Sequence, residues 1–185
     1  MSIGLKAIIF LVLSVYLLWL SRKSLRDLRR HGFFRFFAWE AILALVLLNV
    51  DHWFEDWLAY RQIISWILLA ISGYLVTHST LTLYRAGKPG MERTDPGLIG
   101  IEKTTSLVTT GIYRYIRHPM YSSAFVGVWG VVLKDISAAS FALALLSAVL
   151  LTMTARMEEV ENLRYFGDEY KRYMERTRMF IPYLF

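Results

Sequence analysis

The chain has no cysteine. Disulfides, thiolate metal ligands and cysteine nucleophiles are therefore excluded. Charge is scarce as well: Asp, Glu, Lys and Arg make up 19% of the 185 residues and are bunched between long apolar runs. His52 has no second histidine at ligand spacing, which argues against a metal there. No basic block is longer than membrane orientation requires, so the net charge of +6 does not imply nucleic acid. Internal repeats and low-complexity tracts are absent. The apolar start lacks a small-residue cleavage site and reads as a first span, not a removable leader.

What remains is apolar. Hydrophobic residues make up 56% of the chain and the mean hydropathy is +0.40, the profile of an all-α polytopic membrane protein in one domain, residues 1–185. About five transmembrane helices are expected, over 3–20, 33–50, 63–84, 120–133 and 138–155. Glu40 lies inside the second and is expected to pair with Arg35 or another loop arginine. The third has no Asp, Glu, Lys or Arg in 22 residues. Its small polar side chains, Ser72, Thr77, Ser79, Thr80 and Thr82, are expected to tie helices together, or alternatively to line a wet cavity. The fourth has only 14 residues, ~21 Å of helix against a ~30 Å core, so either it starts earlier or the membrane thins there. Pro119 suits a first helical turn, and Ser122, Ser123, Ala124, Gly127 and Gly130 let a neighbour approach closely.

Two segments are not spans. Residues 85–110 carry Gly87, Pro89, Gly90, Pro96, Gly97 and Gly100 and cannot form a continuous helix; such length suggests a lid or a function. From Arg156 the composition is that of an amphipathic surface helix, with Val160, Leu163, Phe166, Tyr170, Tyr173 and Met174 on one face and Gly167 interrupting the pattern. Of the 21 Lys and Arg, 18 fall in 21–35, 85–118 and the tail from 156. The N-terminus is therefore expected outside and the C-terminus in the cytoplasm.

The stretch 111–121, GIYRYIRHPMY, concentrates arginines, tyrosines, a histidine and a proline at the mouth of the fourth span. A helical hairpin of spans four and five would return Glu158 and Glu159 to the same face. Arg117 and His118 would then meet them across a shared cavity. Its ligand would carry both charges, offer hydroxyls to carboxylates, and present a ring or a cation to tyrosines and Trp129. S-adenosylmethionine has all of these features. The plainer alternative is that Glu158 and Glu159 only pair with Arg117 and Arg156. No residue is an evident dedicated base; Glu158, Glu159 and His118 are candidates, each also claimed by ligand binding.

GIYRYIRHPMY, the glutamate pair 158–159, FGDEYKRY at 166–173 and Pro182 together resemble the C-terminal signature of the membrane methyltransferases typified by isoprenylcysteine carboxyl methyltransferase and phospholipid N-methyltransferases. The resemblance covers residues 107–182. It implies S-adenosylmethionine bound at the cytoplasmic face, with S-adenosylhomocysteine as product, by Arg117, His118, Tyr121, Trp129, Glu158 and Glu159. Leu107, Val108 and Tyr113 would line the approach. Trp129 follows Pro119 after nine residues, one more than the family pattern. Residues 1–84 carry no such match and are where an acceptor would be chosen: a membrane lipid or lipidated end, or a small thiol or carboxylate. Two other readings stay open. One is an NADPH-dependent enzyme like the sterol reductases, whose C-terminal part is similar around RHP; the other is a nonenzymatic membrane subunit.

Overall fold

The computed structural model describes residues 1–88, 90, 98 and 103–184. Pro89, Pro96, Gly97 and Gly100, on which part of the loop expectation rests, lie outside these residues. The fold is all-helical: α1 (Ile3–Ser21), α2 (His31–Asn49), α3 (Tyr60–Ala86), α4 (Pro119–Val132), α5 (Ala138–Phe166) and α6 (Asp168–Arg176), with short 3-10 turns between them. An isolated parallel bridge joins Ile116 to Arg178. Among the described residues four helices, α1, α2, α3 and α5, are long and apolar enough to cross a membrane. The fourth expected span does not start early, because Pro119 opens α4 and the helix keeps its 14 residues.

The chain runs back and forth between two ends. At one, Lys6 pairs with Asp51 at 2.8 Å, and Lys134, beyond α4, reaches Gln62 at the start of α3. At the other, His31 at the start of α2 pairs with Glu161 late in α5 at 2.7 Å. The described residues of the basic segments 21–35, 85–118 and 156 onward therefore share this second end. α3 packs mainly on α4 and α2 mainly on α5, while α1 lies outermost, against α2.

Small groups set these contacts. Ser65 donates to the Gly130 carbonyl at 2.6 Å and Ser72 to the Ser123 carbonyl at 2.8 Å, so at these positions α3 is tied to α4. A Cβ on Gly127 would lie 2.8 Å from Ser72 Oγ, which is why the α4 face must be narrow. Leu45, Val128, Val131, Val132 and Ala144 form the buried cluster joining α2, α4 and α5. Asn49 donates to Ser140 Oγ at 3.0 Å across the α2–α5 seam.

Three expectations are corrected. Glu40 does not pair with Arg35: its carboxylate accepts from Ser14 Oγ on α1 at 2.6 Å, because Arg35 lies a turn nearer the helix start, over the Trp39 ring and beside His31. The surface helix does not begin at Arg156, since α5 runs unbroken to Phe166. Helical hydrogen bonds are internal to the segment and continue from lipid into water without a break. The break falls at Gly167, whose φ of +59° is readily available only to glycine. As a consequence Val160 is 40% exposed and leaves the apolar face that Tyr170 and Tyr173 keep.

Candidate active site

Gly111 starts the motif with φ +58°, and a Cβ there would come within 3.4 Å of His78 and Thr82 on α3. That conformation turns the chain into the 3-10 segment Gly111–Arg114 and buries Tyr113 and Ile116. The next residues pair with the chain's end: Arg117 N–H donates to the Arg178 carbonyl, His118 N–H to the Met179 carbonyl, and Arg178 N–H to the Tyr115 carbonyl, at 2.8–3.1 Å. Ser122 Oγ fastens the same strap by donating to the Phe180 carbonyl.

Arg117 is a clamp. Its Nε donates to Glu159 Oε1 at 2.5 Å, and its Nη1 to the Thr177 carbonyl at 2.6 Å. Both side chains of the pair are about nine-tenths buried. Glu158 is different. It is more exposed and accepts from Tyr121 O–H at 2.6 Å. His118 sits between the two acids, Nδ1 3.8 Å from Glu158 and Nε2 3.4 Å from Glu159, with its ring stacked on Tyr121. The plain pairing reading thus holds for Glu159 with Arg117, but Glu158 has the tyrosine as its partner.

Around these groups lies a hollow with about 710 Å³ of empty space, part of it open to solvent. Leu107, Val108, Tyr113, Arg117, His118, Tyr121 and Glu158 line it, together with Asn162, Phe166, Tyr170 and Tyr173. Glu159 sits behind Arg117 and does not line it. Trp129 is not brought there either. Ten residues beyond Pro119, it packs edge-on against Phe141 and borders a separate apolar hollow with Phe125 and Phe180.

Burial raises the Tyr113 and Tyr170 phenols above their ordinary range, and the charge of Glu158 adds to this. Burial likewise raises Tyr173. All three remain O–H donors at neutral pH, and Tyr173 O–H donates to the Tyr113 carbonyl at 2.7 Å. Asn162, Phe166 and Tyr170 were not singled out as site residues by sequence, yet the signal was present: 158, 162 and 166 are four apart, one stripe of α5, and Gly167 redirects the chain so that Tyr170 extends it. His31 and Glu161 were missed entirely. Glu161 accepts from the His31 backbone N–H at 3.1 Å and contacts its Nδ1 at 2.7 Å, which holds the outgoing end of α5 against α2.

The basic end of this polytopic helical bundle thus holds a cavity lined by Glu158, tyrosines and a histidine. The family model described as phospholipid methyltransferase matches residues 60–169, and the chain belongs to that family. It is 27% identical over 120 residues to methanethiol S-methyltransferase 1 of Bradyrhizobium diazoefficiens, a match covering 64% of this chain and 39% of the relative. To the nickel-cobalt-cadmium resistance protein NccN of Alcaligenes xylosoxydans it is 31% identical over 168 residues, 85% and 67% of the two chains. Human protein-S-isoprenylcysteine O-methyltransferase is 30% identical over 84 residues, 44% and 29%. The chain spans about two fifths of the length of the first methanethiol relatives it matches. Among the described residues no cluster of three or more His, Asp or Glu could hold a metal ion.

Proposed function

We propose that the protein transfers a methyl group from S-adenosylmethionine to a lipid or lipid-like acceptor at the cytoplasmic membrane face. The observation that carries this reading is the hollow itself. It is bounded by the RHP turn, by the 158–162–166 stripe of α5 and by the tyrosines of α6, at the end that holds most of the basic residues. The orientation follows from that charge bias, with the N-terminus outside.

The lining fits the cofactor. Glu158, with one oxygen satisfied by Tyr121, is placed to accept from hydroxyls or an ammonium. Phe166, Tyr170 and Tyr173 offer ring faces for a purine. Asn162 supplies an amide, and Leu107 and Val108 an apolar wall. The bound cofactor supplies a methyl carbon already activated by a sulfonium. The protein's part is to hold donor and acceptor in line and to keep water out, worth several kcal/mol at ~25 °C. Arg117 and Glu159 contribute by fixing the RHP turn to α5, so both act chiefly as positioning residues. His118 and Glu158 are the titratable groups placed to take a proton from an ammonium or thiol acceptor; a carboxylate or thiolate needs none. Residues 1–84 we assign to the acceptor side. The relatives named for methanethiol favour a small thiol as a second acceptor class.

The test is incubation of purified protein with methyl-labelled S-adenosylmethionine and either a total lipid extract or methanethiol, followed by identification of the labelled product. Label in an extracted lipid or in the thioether supports transfer and names the acceptor. Absence of label in both, together with no binding of S-adenosylhomocysteine, would refute it.

A further inference from the structure

Beside the donor hollow lies a second one, with about 1010 Å³ of empty space partly open to solvent. The two share Leu107 and Tyr173 as a common wall. Its charged lining is Arg114, Arg172 and Arg176 against the single acid Glu169. Arg172 and Arg176 stand four apart on α6 and so share a face, where like charges destabilise a helix. Arg114 converges on them from the turn before the RHP motif. None of the three guanidinium groups makes a hydrogen bond or ion pair among the described residues; Arg114 has only the Tyr115 ring, 5.9 Å away. Arg117, close by in sequence, is by contrast consumed by Glu159 and Thr177.

Three unpaired guanidinium groups facing one hollow form an anion site, and guanidinium favours phosphate through its forked donors. The source of the phosphate follows from the surroundings. Tyr115, next to Arg114, is 45% exposed and packs against Tyr183, itself 82% exposed. Exposed tyrosines at the end of a membrane bundle sit at headgroup level. We propose that this groove binds the phosphodiester of an anionic phospholipid in the adjoining leaflet, a site distinct from the donor hollow and independent of which acceptor is methylated.

The experiment is native mass spectrometry of the full chain in nonionic detergent, titrated with short-chain phosphatidylglycerol, with phosphatidylcholine of equal chain length, and with inorganic phosphate as competitor. Phosphatidylglycerol is expected to be retained about tenfold more tightly than phosphatidylcholine. The double variant Arg172→Gln/Arg176→Gln should lose that preference, while Lys171→Gln, which removes one charge from the same helix outside the groove, keeps it. Equal retention of the two lipids, or an unaltered preference in the double variant, overturns the proposal. So does complete displacement of phosphatidylglycerol by millimolar phosphate, which would mark a site for soluble anions. None of these readouts uses the methyl donor, so they stand apart from the test of the reaction.

Discussion

The two ends of the bundle handle buried polarity in opposite ways. At the far end, Lys134 is fully buried, donates to Gln62 Oε1 at 3.0 Å and lies 3.5 Å from the Trp66 ring centroid, with Trp53 beyond. Arg61 caps the same turn by donating to the Lys134 carbonyl. Burial, then the charge of Arg61, lowers the Lys134 pKa from its ordinary value. Lys134, Gln62 and Arg61 there bond to one another and to nearby carbonyls. At the cavity end the Arg117–Glu159 pair is about nine-tenths buried, and Glu158, Asn162 and the tyrosines next to it border the hollow. The far end shows what a polar cluster looks like when its purpose is structural. The cavity end has such a cluster and, beside it, polar side chains that border a hollow.

That contrast can be broken by substitution. Arg117→Ala should have the largest effect: it leaves Glu159 buried without its cation and frees the 177–180 strap, at a cost of about 3–5 kcal/mol, read as a lost or strongly lowered unfolding transition in detergent. Lys134→Ala should cost about 2–4 kcal/mol through the lost cation–π contact and an unpaired Gln62. Binding of S-adenosylhomocysteine by the folded fraction should stay unchanged; weaker binding would mean the ends are coupled. Glu158→Gln reverses the pattern. Unfolding should shift by under about 1 kcal/mol, because the amide oxygen still accepts from Tyr121, while affinity for S-adenosylhomocysteine falls about tenfold, near 1.4 kcal/mol. Unchanged affinity by calorimetry would remove Glu158 from the donor site. Ser72→Ala, on the α3–α4 seam between the ends, should cost only about 0.6 kcal/mol. The smallest effect belongs to pH. Hydrogen bonds from Lys6 and from the chain's first amine lower Asp51 from 3.8 to about 2. A carboxylate depressed on folding adds stability above its unfolded value and loses it as pH falls from about 4 towards 2. Acid titration of unfolding should show that loss in the parent and not in Asp51→Asn.

Much of the bundle was legible because hydropathy and helix length read out lipid directly. The meeting of Arg117 and His118 with Glu158 and Glu159 also followed from chain direction alone, since a short turn after α4 must return α5 to the same end. What escaped was of two kinds. Hydropathy marks where lipid ends, not where hydrogen bonding ends, so α5 was cut at Arg156 when its true stop is the positive φ of Gly167. Side-chain partners between distant helices carry no local pattern, so Ser14 for Glu40 and Glu161 for His31 are not legible in the sequence, which offers Glu40 only Arg35 or another loop arginine. Trp129 was placed by analogy with a motif. On a helix one extra residue is a rotation of ~100°, and the ring stands at the apolar hollow.

The unequal lengths of α4 and α5 have a consequence for the bilayer. α5, with 29 residues, measures ~43 Å, while its neighbour α4, with 14, measures ~21 Å. Lipid beside α4 must thin by roughly 9 Å from its usual ~30 Å or tilt to meet it. Headgroups drawn down beside so short a helix would stand at the foot of the RHP turn, next to the hollow that Pro119 and Met120 help to line.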